Sequence, residues 1–152
     1  MKKIETEVNI NSSIESVWET FSDLNCHSDW NPFLTKIDGN LIEGGSVSIT
    51  VQLGNNKPEI AEPILKKLIP KKEVHFLMNK WPLIKGEHYF IFEPISDMET
   101  KFIHGERFYG LLPMFLWWKL KPLFTQGFND MNQALKNRVE LRHNKFSQSD
   151  AR

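Results

Sequence analysis

Between Pro32 and Tyr109 the chain returns again and again to a period of two, and never leaves room for a crossover. Val47, Ile49, Val51 and Leu53 alternate with Ser48, Thr50 and Gln52, the pattern of a half-buried strand. Gly44-Gly45 opens that strand and Gly54-Asn55-Asn56 closes it with residues that tolerate a tight turn. Phe33 to Asp38 precedes it. Glu59 to Ile69 follows as a strand broken or bulged at Pro63, because proline cannot donate to a ladder. Val74 to Trp81, Glu87 to Phe92 and Thr100 to Tyr109 complete the series. Connections this short cannot carry parallel strands, so the pairing is antiparallel.

Two flanking regions complete the plan. Upstream, Ile4, Thr6, Val8 and Ile10 alternate with polar residues as a first strand. Ser12 or Ser13 can cap the next helix, with Ser12 and Glu15 at capping-box spacing. Ile14, Val17, Trp18 and Phe21 form its apolar stripe. A second short helix over Asp23 to Trp30 stops at Asn31-Pro32, since the residue before proline is pushed out of the helical region. Downstream, Phe124, Phe128, Met131, Leu135 and Val139 recur at helical spacing. A sheet with one apolar face and a helix with one apolar stripe need each other. The reading is α+β: a curved seven-stranded antiparallel sheet wrapped around a long C-terminal helix, with two short helices after the first strand. One domain is expected over residues 1–143, with a polar tail over 144–152 that frays.

Charge and cysteine content narrow the function classes. Nineteen basic and nineteen acidic side chains cancel, which argues against a broad nucleic-acid surface. Cys26 is the only cysteine, so neither an intrachain disulfide nor a cysteine-based metal site is available. Cys26 and His27, adjacent on a helix, make a poor catalytic pair. The opening MKKIETEVNI has no apolar core of a signal peptide, and Phe108 to Trp118 is too short to span a bilayer and is interrupted by Gly110 and Pro113. A cytoplasmic setting is expected.

Strand parity selects the polar residues that look inward. Phe102, His104, Glu106 and Phe108 share one face of the last strand; His88, Phe90 and Phe92 share one face of the strand before it. If the aromatic positions face the helix, His88, His104 and Glu106 face it too and need partners there. Three roles stay open for them: internal hydrogen bonding, orientation of a ligand, or acid–base catalysis near neutral pH. Two histidines and a glutamate suffice in number for zinc, but the spacing does not require them to converge, and no metal is expected. Trp30 packs against the sheet end or lines a cavity mouth, Asn31 stabilises the turn before Pro32, and Trp81 sits at a rim. Leu111, Leu112, Met114, Phe115, Leu116, Trp117 and Trp118 place seven bulky apolar residues in eight positions, more than one helix face buries. Core and cavity lining, a gate, a homodimer contact or shallow membrane contact beside Lys119 and Lys121 are the open uses.

Six stretches carry a family resemblance: I-x-S-S-I-E-S-V-W (Ile10 to Trp18), D-x-N-C-H-S-D-W-N-P-F (Asp23 to Phe33), G-x-L-I-E-G-G (Gly39 to Gly45), G-E-H-Y-F-x-F-E-P (Gly86 to Pro94), T-K-F-I-H-G-E-R-F-Y-G (Thr100 to Gly110) and G-F-x-x-M-N-x-A-L-K (Gly127 to Lys136). Over residues 3 to 142 the chain resembles the START-like superfamily, the polyketide cyclase/dehydrase and lipid-transport group with the helix-grip fold. The resemblance implies an apolar or amphipathic small molecule held between sheet and helix. It implies a mouth gated by Trp30-Asn31-Pro32, Trp81-Pro82-Leu83 and Leu111 to Trp118, and calls for no cofactor. Ligand contacts are then expected from Trp30, Asn31, Trp81, His88, Phe90 and His104, and from Glu106, Phe108, Leu112, Phe115, Phe124 and Phe128. Binding or carriage is the leading function. The alternatives are a polyketide cyclase, aromatase or dehydratase-like enzyme using His88, His104 or Glu106 as acid or base, and a protein-interaction or dimerisation module.

Overall fold

The alternation expected of the first strand places Ile4 and Ile10 in the interior, with exposed neighbours between them. This strand, β1 (Lys2–Ile10), belongs to a computed structural model that describes residues 1–150, and the side chains of residues 1–142. Helix α1 (Ile14–Ser22) follows, capped by Ser13, whose Oγ accepts from the Ser16 backbone N–H at 3.3 Å. Of the two serines offered by the sequence, Ser13 is therefore the cap. Ser12 is buried and its carbonyl accepts from Thr100 Oγ1 at 2.9 Å, tying the chain to the neighbouring strand, where Thr100 pairs with Ile10. The second short helix divides into a 3-10 turn (Leu24–Cys26) and α2 (His27–Trp30), and it ends before Pro32 as proline geometry requires.

Among the described residues the chain forms eight strands where seven were expected. They are β1, β2 (Leu34–Asp38), β3 (Ser48–Val51), β4 (Glu59–Ala61), β5 (Ile64–Ile69), β6 (Glu73–Lys80), β7 (Ile84–Ser96) and β8 (Glu99–Tyr109). All pair antiparallel, in two sheets ordered β1-β8-β7-β6-β5 and β2-β3-β4. The expected single strand from Glu59 to Ile69 is divided at Glu62-Pro63, where proline interrupts the ladder and the chain passes from one sheet to the other. The junction stays closed: Leu65 N–H donates to the Gly45 carbonyl and Gly44 N–H to the Leu65 carbonyl, both at 2.8 Å. The two sheets therefore behave as one curved wall.

The long helix α3 (Leu111–Asp150) begins earlier than its apolar stripe suggested, because the segment from Leu111 is helical too. It bends at Leu116 (φ −113°, ψ 15°) and carries Pro122 further along, a residue that cannot donate to the carbonyl four positions back. Beyond the bend Phe128, Met131, Leu135 and Val139 are buried against the five-stranded sheet. Each contributes roughly 1.5–3 kcal/mol by leaving water. At Gly127 a Cβ would run into the Phe33 ring, so the absence of a side chain sets how closely helix and sheet approach. The fraying expected from Asn144 concerns positions outside the described side chains.

Candidate functional site

A cavity of about 510 Å³ lies between the sheets and the first turns of α3. Its closed end is made by buried Phe33, Phe76 and Phe108, with His88 and Glu106 between them. Ile49, Val51, Met78 and Ile84 line the strand side, and Leu112, Leu116, Leu120, Leu123 and Phe124 line the helix side. Leu83, Ile60, Glu59 and Lys80 stand at the mouth. The volume falls in the range of small-molecule sites, as does the composition, apolar walls with few polar groups.

The two polar groups are neighbours by register, since His88 and Glu106 are Cα partners across β7 and β8. Side chains of such a pair stand on the same face about 4.5–5.5 Å apart at Cβ. Gly86 makes the space for Glu106: a Cβ there would collide with Glu106 Oε1. Among the described residues no side chain of opposite charge neutralises the Glu106 carboxyl, and burial alone pushes its pKa up to about 8. At neutral pH it is a carboxylic acid and hence a hydrogen-bond donor.

Behind His88 a chain of hydrogen bonds fixes every proton. Thr6 Oγ1 donates to the His104 carbonyl at 3.2 Å, so it must accept from Asn132 Nδ2 at 2.9 Å. Asn132 Oδ1 then faces His104 Nδ1 at 3.1 Å and can only accept, so His104 carries its proton on Nδ1. His104 Nε2 is therefore the bare nitrogen, and His88 Nε2–H donates to it at 2.6 Å. This leaves His88 Nδ1 unprotonated beside the cavity. Burial lowers the His88 pKa to about 3. Burial lowers His104 well below its usual value too, and the adjoining His88 adds to the effect. Both rings stay neutral at pH 7. Phe128 stacks on His104 at 3.9 Å and on His88 at 5.3 Å, holding the pair in place.

Of the residues singled out in the sequence, His88, Glu106, Phe108, Leu112 and Phe124 border the cavity. His104, Phe90 and Phe128 are wholly buried behind that lining. Trp30 and Asn31 stand away from it. Trp30 packs on the His27 ring at 4.7 Å. Asn31 Nδ2 donates to His27 Nδ1 at 3.0 Å, while its Oδ1 accepts from the backbone N–H groups of Phe33 and Leu34. His27 Nε2 in turn donates to the Phe21 carbonyl at 2.7 Å, so Asn31 and His27 latch α1 to β2. Trp81 and Phe115 are 67% and 68% exposed. Trp81 borders a separate groove with Pro82, Tyr109 and Met114. The strand-side lining of Val51, Met78 and Ile84 was not singled out, although the parity argument that selected His88 extends to each of these strands. Among the described residues no group of three or more His, Cys, Asp and Glu side chains is placed to hold a metal.

Comparison with known proteins agrees with this architecture. A family model described as polyketide cyclase / dehydrase and lipid transport matches residues 1–140. A START superfamily protein from Mycobacterium smegmatis is similar in structure, with TM-score 0.74, 16% identity, and coverage of 91% of this chain and 97% of that one. The Zhui aromatase/cyclase from Streptomyces sp. R1128 superposes with TM-score 0.76 at 15% identity, over 93% and 94% of the two chains. A conserved protein from Geobacillus kaustophilus gives TM-score 0.71 at 14% identity, over 91% and 95%. At these identities the structures share the fold alone. No curated protein matches the sequence. The chain belongs to the polyketide cyclase/dehydrase and lipid-transport family of the START-like, helix-grip superfamily.

Proposed function

We propose that this protein binds and carries an apolar or amphipathic small molecule in the cavity between its sheets and α3. The observation that carries the reading is the cavity itself: about 510 Å³, walled by aliphatic and aromatic side chains, with only two polar groups at the closed end. Apolar surface removed from water there contributes about 25 cal/mol per Å². Phe108, Leu112, Phe124, His88 and Glu106 make contact in this reading, with Leu116, Leu120 and Val51 beside them. Equilibrium binding of the neutral dye N-phenyl-1-naphthylamine tests it. The native chain binds the dye with enhanced emission, and Val51→Trp, which fills the void, weakens binding at least tenfold. Equal binding by the two would refute the reading.

The enzymatic alternative draws on the same pair, with Glu106 as general acid and His88 as general base. A histidine held near pKa 3 is a weak base at neutral pH, so the pair suits hydrogen bonding better than proton abstraction. For the rim, one observation favours contact with an anionic bilayer over self-association. Trp81, Phe115 and Trp118 are exposed, and residues 108–129 contain Lys119 and Lys121 but no acidic side chain. Exposed aromatics flanked by lysines suit the headgroup region of such a surface. Co-sedimentation with phosphatidylserine vesicles, lost in Phe115→Asp/Trp118→Asp, is the expected result; a dimer at low micromolar concentration with no vesicle binding is the contrary one.

A further inference from the structure

The closed end of the cavity holds two polar groups of opposite hydrogen-bonding sense. His88 Nδ1 has no protein partner among the described residues, and the tautomer chain through His104, Asn132 and Thr6 leaves it an acceptor. The Glu106 carboxyl likewise has no protein partner and sits on the same face, one register position across. Among the described residues no cation stands beside it. Lys80 lies at the mouth with Glu59, and Lys2 is exposed outside it. A carboxyl in that position keeps its proton and donates. The pair therefore lacks one thing: a ligand atom that accepts from Glu106 and donates to His88.

We propose that the cavity selects a neutral ligand whose buried end is a hydroxyl, an alcohol or phenol, accepting from the Glu106 carboxyl and donating to His88 Nδ1. The inference rests on the cavity reading above and adds the chemical class of the ligand. A hydroxyl oxygen fills both roles at once and leaves neither buried group unpaired. A carboxylate end finds no cation to offset its desolvation and cannot donate to His88. A hydrocarbon end leaves both groups without partners. An ammonium end would be preferred only if Glu106 were ionised.

Four probes that differ at one end decide this: 2-naphthylmethanol, 2-methylnaphthalene, 2-naphthoate and 2-naphthylmethylammonium, titrated at pH 6.5 by dye displacement. The alcohol should bind most tightly, on the order of tenfold better than the methyl compound, with both ions weaker than either. In Glu106→Leu the advantage of the alcohol over the methyl compound should disappear while methylnaphthalene still binds, which shows that the variant is folded with its cavity intact. Methylnaphthalene binding with no gain for the alcohol overturns the inference and leaves the cavity reading standing. So does preference for either ion. Failure of all four probes, methylnaphthalene included, overturns both.

Discussion

Replacing Asn132 by leucine breaks the hydrogen-bond chain at its middle. Asn132 is 2% exposed and serves two partners, accepting from His104 Nδ1 and donating to Thr6 Oγ1. Leucine keeps the heavy-atom count and the branching at Cγ, but its methyl groups are bulkier than the planar amide, so overpacking adds to the polar loss. The His104 donor keeps only the approach of the Phe128 carbonyl, and weakening a buried donor in this way costs about 1–2 kcal/mol. The lost bond to Thr6 contributes about 1 kcal/mol more, for about 2–3 kcal/mol in all. With a urea dependence of about 1–3 kcal/mol per molar, the unfolding midpoint should fall by roughly 0.7–3 M. Nitrogen-15 shifts of the imidazoles supply the second readout: in the native chain His104 Nδ1 and His88 Nε2 are protonated and His88 Nδ1 is bare. A stability loss below about 0.5 kcal/mol, or a native His88 protonated on Nδ1, would refute the tautomer argument.

Three further outcomes follow from the same geometry. Glu106, raised to about 8 in the fold, binds a proton that the unfolded chain releases near pH 4.5, so its contribution to stability is complete below that pH and is lost as pH rises through 8. His88 and His104 are lowered; their contribution is present above pH 6.5 and is lost as pH falls below it, for His88 toward 3. These three groups together place maximal stability near pH 6–7, and chemical denaturation of Glu106→Gln should show a flatter alkaline side; a native profile already flat from pH 6.5 to 8.5 would contradict this. Gly127→Val drives a side chain into the Phe33 ring and should cost about 1–3 kcal/mol by overpacking, read as a lowered thermal midpoint. Asn31→Ala removes the partner of His27 and of two backbone N–H groups and should cost about 2–4 kcal/mol while leaving dye affinity of the folded fraction unchanged; loss of dye affinity instead would place Asn31 in the ligand site.

Much of this fold is written in local periods. The alternation in Val47 to Leu53 and the helical spacing of Phe128, Met131, Leu135 and Val139 report which face each element buries, and burial follows. Pro63 was visible as an interruption, but whether proline bulges one strand or divides two depends on where the partner strands lie, which no local pattern encodes. The extent of α3 was hidden for a similar reason. Leu111 to Trp118 is apolar on every side because one face lines the cavity and another forms the exposed rim, so no stripe marks it as helix. Strand parity put His88, His104 and Glu106 on inward faces, but could not show that the histidines pair with each other and leave Glu106 alone. That separation comes from Asn132 on α3, distant in sequence. No local pattern marks the role of Gly86, making space for Glu106, because it appears only across the β7–β8 pair.

The central claim, that the cavity exists to hold a small apolar molecule, is tested most directly by native mass spectrometry of the chain purified without detergent. The account predicts one adduct per chain that is released on denaturation, is absent from Val51→Trp, and extracts as a neutral molecule carrying a hydroxyl. A chain that appears only at its bare mass, together with equal dye binding by native protein and Val51→Trp, would contradict it.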